Sequence, residues 1–367
     1  MDEPVEFTDI YVDEAMVDRA TEVLRSGRYV KGPMVERFEA AFAEFCGTDH
    51  AVGVASGTDA IYLALKAAGV EPGDDVFVPA HTFFATVSPV LELGANPVFV
   101  DHEPVTYTMD ALDLGERLRA ADQPAAVVPV HIYGHPADMG AIREVADAHD
   151  LAVIEDACQA HGATYEGEPV GSLGDAGAFS FYPSKNMTVA GDGGMITTDD
   201  PDLAREARML RNHGRNGDGE HVRLGLNHRL SELHAALGHE QLGHVDDWNE
   251  HRRSAAERYT DRLTDVDAVT PPQTRSESEH VYHLYVIQVP DRADLRDALD
   301  DAGVQTDIHY RVPAHEHLAV ERHLDESPRV PRTETLTDRI LSLPMHPRIT
   351  DTEIDRVCAA IERHYDR

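Results

Sequence analysis

The chain has 367 residues and carries 67 Asp and Glu against 32 Lys and Arg, a formal net charge of −35 at pH 7. This charge argues against nucleic acid or an anionic membrane as a partner, because polyanions are bound by clustered basic side chains. Only three residues, Lys31, Lys66 and Lys185, are lysines. Acidic, lysine-poor surfaces suit molar salt, which screens repulsion within about 3 Å, so we expect a halophilic source.

The cysteines and the N-terminus predict a cytoplasmic protein. Cys46, Cys158 and Cys358 are widely spaced and odd in number, so they indicate neither a disulfide framework nor a Cys-x-x-Cys metal site. Residues 1–16 are acidic and lack the basic and apolar regions of a signal peptide. No segment approaches 18 uninterrupted apolar residues, so no membrane span is expected.

Strand and helix patterns alternate from about residue 33 to residue 240. Helices are predicted at 35–45, 59–70, 86–95, 111–120 and 139–150, and strands at 51–56, 75–80, 97–101, 125–131 and 151–157. A strand at 177–182, the segment 193–200 and helical stretches at 202–214 and 231–263 follow and end the alternation. Strands this apolar are covered on both faces, which predicts a doubly wound α/β domain with a mostly parallel sheet.

Beyond about residue 265 the pattern changes to an α+β layout. Strands are predicted at 280–290 and 304–311, and helices at 291–303 and 350–367. We place the boundary at residue 248. The sequence thus predicts a large domain of residues 1–248 and a smaller C-terminal α+β domain of residues 249–367, on which the N-terminal segment is a candidate to pack.

Ligands of such sheets bind at the carboxyl ends of the strands, where two loops stand out first. Ser56-Gly57-Thr58 opens a helix and predicts a phosphate cradle, with a plain helix cap as the alternative. Phe83 lies in a polar loop after the strand 75–80 and suits stacking on a flat ring, although core burial is the commoner role of Phe.

Two later loops add a carboxylate and an amine. Asp156 ends a buried strand, where a carboxylate needs a cation, a metal or a structural salt bridge. Lys185 lies between a strand and the glycine-rich residues 191–194, and its retention indicates imine chemistry, because arginine cannot lose a proton and attack a carbonyl. Cradle, stacking ring, carboxylate and amine together match the requirements of pyridoxal 5′-phosphate (PLP).

These motifs resemble those of a known family, the fold-type I, vitamin B6-dependent sugar aminotransferases of the DegT/DnrJ/EryC1/StrS group. The resemblance covers nearly the whole chain. Its strongest motifs are SGRYVKGPMVERFEAAFAEFCG (26–47), SGTDAIYLAL, PAHTFFAT, EDACQAHGATYEG, FSFYPSKNMTVAGDGGMITTDD and LGLNHRLSELHAALG (224–238). It implies a large domain with a mostly parallel seven-stranded sheet and PLP as the cofactor.

The resemblance also assigns residue roles. Lys185 matches the lysine that holds PLP as an aldimine and then acts as general base, Asp156 the partner of the ring nitrogen, and Gln159 a residue near the ring hydroxyl. The matching phosphate contacts are Gly57, Thr58 and Ser180, and Phe83 takes the stacking position. Asn227 matches an asparagine that reaches the neighbouring subunit's cofactor phosphate, which implies a homodimer with shared active sites.

The implied reaction moves an amino group from L-glutamate to a nucleotide-linked ketosugar in aminosugar synthesis. The residues 181–185 and the Gly-Asp-Gly-Gly that follows them favour a 3-ketosugar over a 4-ketosugar by the same resemblance. Substrate phosphates need local cations on so acidic a protein. The candidate substrate residues are Tyr182, Arg215, Arg229, His309 and Arg311.

Other chemistries remain open. A sugar dehydratase branch of the family carries His where this chain keeps Lys185, and Cys158 beside the carboxylate raises a desulfurase. A non-catalytic regulatory protein that holds PLP is a further alternative. The 22 histidines, including His131/His135 and His309/His315/His317, suggest a metal enzyme, but no His-Glu-x-x-His is present and we expect no metal.

Overall fold

The structure is a computed structural model and describes residues 3–324 and 326–366. Its strands are β1 (His50–Val54), β2 (Asp75–Pro79), β3 (Asn96–Val100), β4 (Pro124–Val127), β5 (Ala152–Asp156), β6 (Thr164–Tyr165), β7 (Glu168–Pro169), β8 (Ala176–Ser180), β9 (Gly194–Thr198), β10 (Ser278–Glu279), β11 (Tyr285–Gln288) and β12 (Ile340–Leu343).

Helix boundaries follow local capping signals. The helices are α1 (Glu14–Ser26), α2 (Pro33–Cys46), α3 (Gly57–Ala67), α4 (Phe84–Glu92), α5 (Ala111–Leu118), α6 (Met139–Ala148), α7 (Pro201–Leu210), α8 (Glu232–Leu242), α9 (Val245–Leu263), α10 (Arg292–Asp301), α11 (Leu318–Glu321), α12 (Pro331–Thr337) and α13 (Asp351–Tyr365). Asp13 caps α1 by accepting from the backbone N–H of Met16 at 2.9 Å, and Gly27 ends that helix with a φ of 69°.

The large sheet has seven strands in the order β1-β9-β8-β5-β4-β2-β3. Strand β9 runs antiparallel to both of its neighbours, and the other pairings are parallel. The predicted α/β class with a mostly parallel seven-stranded sheet is therefore confirmed. A sheet of this kind gathers the loops that follow its parallel strands along one edge.

Helices cover both faces of the sheet, as its apolar strands require. On one face, α3 and α4 pack Ile61 and Val87 against Val76 and Val78 of β2. The residue between these valines, Phe77, points to the other face and packs with α5 and α6. Further along that face, α2 contributes the buried aromatic residues Phe38 and Phe42.

A separate core forms around β11 and β12. It includes residues of α9, α10 and α13 together with Val5 of the N-terminal segment, whose backbone bridges Val304. The first turn of α9 packs with the large domain through Val245 and Trp248, whereas its later turns belong to this second core. The boundary at residue 248 lies within α9 and stays a prediction.

Two local predictions differ from the structure. Residues 304–311 form only isolated bridges, one of them between Asp307 and Ser342, instead of a strand. The helical stretch 231–263 is interrupted at Gly243 and His244. In addition, helix α1 was not predicted; of its apolar residues, only Met16 and Val23 are buried.

Among the described residues, no helix combines the length and the apolar character that a membrane crossing requires.

Candidate active site

A cleft of about 490 Å³ opens where the loops after β1, β2, β5 and β8 meet the small domain. A cleft of this size is typical of a cofactor or small-ligand site. It is lined by Ser56, Gly57, Thr58, Ile61, Thr82, Phe83, Ala85, Thr86, Val130, Asp156, Cys158, Gln159, Ser180, Tyr182, Ser184, Lys185, Asp192, His283, His309 and Tyr310. Nine of the thirteen site residues predicted from the sequence are in this set.

The phosphate cradle lies at the start of α3. Ser56 caps this helix by accepting from the backbone N–H of Asp59 at 3.0 Å, so the first N–H groups of the helix are free to face the cleft. A Cβ on Gly57 would lie 2.6 Å from Ser180 Cβ and 2.9 Å from Cys158 Sγ. Only glycine therefore leaves this corner open for an anion held by backbone N–H groups.

Replacing Gly57 by alanine is expected to lower the affinity for PLP about 10-fold or more, because overpacking costs about 1–3 kcal/mol. The measurement is a titration of the apoenzyme with PLP, followed by cofactor absorbance. Gly115→Ala is the matched control, since a Cβ there meets nothing within 4 Å. Equal PLP affinity in both variants would contradict the cradle.

The adjacent acids Glu155 and Asp156 have different partners. Glu155 is fully buried and accepts from the backbone N–H groups of Gly171, Leu173 and Gly174, each at 2.8 Å, which makes it structural. Asp156 lines the cleft, and its Oδ2 accepts from the hydroxyl of Thr86 at 2.7 Å. Of the two, Asp156 alone presents a carboxylate to a ligand.

Lys185 lies in the turn after β8. Its backbone N–H donates to the carbonyl of Tyr182 at 2.8 Å, and its side chain is half-buried in the cleft. Nζ has no hydrogen-bond partner among residues 3–324 and 326–366. Burial lowers the pKa of Lys185, against the opposing influence of Cys158 and Asp156. An unpaired amine with a lowered pKa is suited to attack a carbonyl group.

Two aromatic rings flank the mouth of the cleft. Phe83 precedes α4 and is 54% exposed. Its ring centroid lies 5.6 Å from that of Tyr310, which belongs to the small domain. An exposed phenylalanine at a strand end offers a flat apolar face to a ligand ring. The position agrees with the stacking role predicted for Phe83, which stays a prediction.

A hydrogen-bonded chain joins Gln159 to the small domain. Gln159 Oε1 accepts from the backbone N–H of Tyr133 at 2.6 Å, and Nε2 donates to the hydroxyl of Tyr310 at 2.7 Å. Tyr133 has a φ of 60°, and its hydroxyl donates to the carbonyl of His309 and lies 2.6 Å from His81 Nε2. This buried chain fixes the orientation of the Gln159 amide.

Several predicted residues lie outside the cleft. Arg215 and Arg229 line a separate groove of about 420 Å³. The other basic residues of that groove are Lys31, Arg205, Arg208 and Arg211, and its acids are Glu36 and Glu39. Asn227 is exposed and pairs with Asn212 in an isolated bridge. Arg311 is exposed and lines neither space.

The sequence assigned no role to several polar residues of the cleft, among them Thr82, Thr86, His283 and Tyr310. The threonines lie within the quoted motif PAHTFFAT, and their spacing of four residues could have indicated the contact between their hydroxyls, which is 2.7 Å. Tyr310 follows the predicted His309. No sequence signal marks His283, because it reaches the cleft from a distant part of the chain.

Buried neutral histidines predict loss of stability in mild acid. Burial lowers the pKa of His81 and His161 to about 3 and that of His135 to about 4, from 6.5. Below pH 6.5 the unfolded chain binds these protons and the folded protein does not. The free energy of unfolding is therefore fully retained above pH 6.5 and is expected to fall by about 4 kcal/mol per pH unit toward pH 4.

Urea unfolding at pH 7.0, 6.0 and 5.0, at constant salt, measures this slope. His161→Phe removes one of the three groups, whose ring packs against Phe179 and Phe181. Its slope is expected to be smaller by about 1.4 kcal/mol per pH unit, the contribution of one group. A stability that is constant between pH 7 and pH 5 would contradict neutral burial of these histidines.

Comparison with known proteins identifies the family. The model of the "DegT/DnrJ/EryC1/StrS aminotransferase family" matches residues 11–362. The chain is 43% identical, over 94% of its length and 90% of the relative, to a dTDP-3-amino-3,4,6-trideoxy-alpha-D-glucose transaminase of Streptomyces venezuelae. It is 40% identical to a UDP-N-acetyl-3-dehydro-alpha-D-glucosamine 3-aminotransferase of Acidithiobacillus ferrooxidans, over 93% and 91% of the two chains.

A solved structure has the same fold as this chain over its whole length. The crystal structure of Streptomyces venezuelae DesV in complex with a ketimine intermediate has a TM-score of 0.96 and 40% identity, covering 100% of both chains. The "Putative sugar aminotransferase Spr1654" of Streptococcus pneumoniae, 25% identical and covering 99% of this chain, has been solved in a PMP form and a PLP form, with TM-scores of 0.93 and 0.92. These findings confirm the fold-type I architecture and PLP as the cofactor.

Proposed function

The chain belongs to the DegT/DnrJ/EryC1/StrS aminotransferase family and is a PLP-dependent transaminase, and we propose that it transfers the amino group of L-glutamate to C3 of a nucleotide-linked ketosugar. The observation that carries this proposal is the cleft itself. There the unpaired amine of Lys185 and the carboxylate of Asp156 line one cavity with the open corner at Gly57.

The residues present fit the cofactor. The N–H groups at Gly57 and Thr58, with Ser180, would hold its phosphate, and Asp156 would hold its ring nitrogen in the protonated form. The Gln159 amide, oriented through Tyr133, would lie beside the ring hydroxyl, and Phe83 would cover the ring. The bound cofactor supplies an aldehyde and an electron-accepting ring.

Lys185 would both anchor the cofactor and move the proton. A lysine whose pKa is lowered by burial releases its own proton readily. Once displaced by the amino donor, Nζ would accept the proton from the donor's Cα and deliver a proton again within the same cleft. The tyrosines Tyr182 and Tyr310 and the imidazole of His309 lie around the remaining space and would orient the sugar.

The basic groove supports an anionic nucleotide substrate. Six basic residues against two acids line it, on a chain with a net charge of −35. Arg229 donates to Asn212 Oδ1 at 2.9 Å, which holds its guanidinium at this surface. We propose that Arg215 and Arg229 bind substrate phosphates. Arg311 remains a weaker candidate because it is exposed outside both spaces.

A homodimer would bring the groove and the cleft together. The segment 212–230, which carries Asn227 and these arginines, also exposes Val222, Leu224 and Leu226, the second of them 89% exposed. Exposed apolar side chains on such a segment favour contact with another subunit. We propose that Asn227 crosses to the partner's cofactor phosphate and that each active site uses residues of both subunits.

Desulfurase and dehydratase chemistry have less support. Burial raises the pKa of the Cys158 thiol well above its usual range, so the nucleophilic thiolate is disfavoured. The dehydratase branch described above lacks the lysine that this chain keeps at position 185. Neither Cys158 nor Lys185 therefore favours a second function.

Product analysis tests the proposed substrate. The PLP-loaded enzyme in molar KCl is incubated with L-glutamate and with either a 3-keto or a 4-keto nucleotide sugar, and the products are identified by mass spectrometry and NMR. We expect an amine at C3 and 2-oxoglutarate in equal amounts. An amine formed only from the 4-ketosugar would contradict the proposed position, and no amine from either would contradict a nucleotide-sugar substrate.

A further inference from the structure

A second, smaller cavity adjoins the cleft behind Lys185. It has a volume of about 50 Å³, and one wall is the N-terminal segment 7–11. Its lining shares Ser184, Lys185, His283 and His309 with the cleft, so the two spaces meet at the reacting amine. The lining also includes Trp248 and Arg252 of α9 and residues 345–347.

Arg252 places a positive charge at this cavity. Its side chain is only 3% exposed, and Nη1 donates to the carbonyls of Tyr282 and Met345, both at 3.1 Å. No carboxylate lies within 4.0 Å of its guanidinium among the described residues. Nε is buried without a partner, and Nη2 makes no hydrogen bond to the described residues. A buried charge without a counterion is costly unless an anion joins it.

A neighbouring histidine is also a donor. Nδ1 of His283 donates to Asn186 Oδ1 at 3.1 Å, and burial lowers the pKa of His283 well below its usual value, so its Nε2 is an acceptor and offers no proton to an anion. Both ring nitrogens of His346 are buried without a partner, and one of them carries a proton in either tautomer. The single acid in the lining, Asp9, already forms a salt bridge of 2.8 Å with Arg348. The cavity thus contains unpaired donors and one acid whose charge is neutralised elsewhere.

We propose that this cavity binds a small monovalent anion, either a free halide or the carboxylate group of the amino donor, through Arg252 and His346. Its volume of about 50 Å³ is sufficient for a group of this size. The carboxylate source rests on the proposed function, because the donor must place its amine beside Lys185. The halide source does not rest on the proposed function.

The only tryptophan of the chain reports on this cavity, because Trp248 lines it. Intrinsic fluorescence of the PLP-loaded enzyme is titrated with potassium iodide, with potassium sulfate keeping the ionic strength constant. We expect quenching that saturates and is relieved by competing chloride. Quenching that rises linearly with iodide and does not respond to chloride would overturn the proposal.

Two arginine variants distinguish iodide binding at Arg252 from a general effect of losing one positive charge. Arg252→Gln is expected to weaken iodide binding about 10-fold or more, because the charged donor is lost. Arg253→Gln is the matched control, since Arg253 pairs with Glu250 and Glu279 outside the cavity. Equal iodide binding in both variants would overturn the assignment to Arg252. If Arg252→Gln does not fold, the iodide titration of the unaltered enzyme still tests the proposal, because it shows whether the quenching saturates and whether chloride relieves it.

Competition identifies the source of the anion. If acetate and L-glutamate displace iodide as chloride does, the cavity takes the donor's carboxylate; displacement by chloride alone supports a halide site. Transaminase activity is measured separately. Saturable iodide binding in an enzyme without transaminase activity would support this cavity and contradict the proposed function, whereas linear quenching in an active transaminase would do the reverse.

Discussion

Replacing Lys185 by alanine is expected to lower the rate of amino transfer by about 10³-fold or more, because one amine serves both as the anchor of PLP and as the group that moves the proton. The variant is also expected to lose the visible absorbance of the lysine-bound cofactor. Rates are measured as 2-oxoglutarate formed from L-glutamate with a saturating ketosugar acceptor, on protein first shown to be folded by circular dichroism.

Lys66→Ala provides the control. Lys66 lies on α3, and its Nζ donates to the carbonyl of Leu224 at 3.2 Å, outside the cleft. Its removal is expected to leave the rate and the cofactor spectrum unchanged. A Lys185→Ala enzyme that keeps more than about a tenth of the activity would contradict the role given to Lys185.

Replacing Asp156 by asparagine is expected to lower the rate by about 10²-fold or more, because the neutral amide no longer favours the protonated ring nitrogen. Thr86 would still donate to the side-chain oxygen, so the local packing is retained. The effect should lie in kcat more than in the KM of the sugar substrate. Steady-state kinetics with both substrates varied measures the two constants.

A second acid of the cleft tests whether the loss of any negative charge there lowers the rate. Asp192 also lines the cleft but is exposed, and Asp192→Asn is expected to change kcat less than about threefold. If both asparagine variants lose activity equally, the effect belongs to the overall charge of the cleft and the specific role of Asp156 is wrong.

The sequence predicts the sheet from its strand patterns and the cleft from the residues of the loops that follow the strands. Buried runs such as 75–80 and 151–157 alternate with amphipathic helices, and that pattern specifies a covered parallel sheet. Once the sheet is known, Gly57, Asp156 and Lys185 must lie at its carboxyl edge, because Asp156 ends a strand and the other two lie in loops that follow strands. The cleft could therefore be located before any coordinates.

Other features depend on tertiary contacts that leave little trace in the sequence. Glu155 and Asp156 look equivalent as neighbours, and only the alternation of the strand sends one to structural N–H groups and the other to the cleft. His283 and Arg252 reach Lys185 from distant segments. Residues 304–311 alternate like a strand, yet they pair only through isolated bridges.

The two half-reactions, followed in one cuvette, test the central claim most directly. L-glutamate is added to the PLP-loaded enzyme in molar KCl, the excess is removed, and a nucleotide-linked 3-ketosugar is then added. The account predicts that the visible absorbance of the bound cofactor disappears with glutamate, returns with the ketosugar, and releases one aminosugar per active site. An absorbance that glutamate leaves unchanged, or that no nucleotide-linked ketosugar restores, would contradict it.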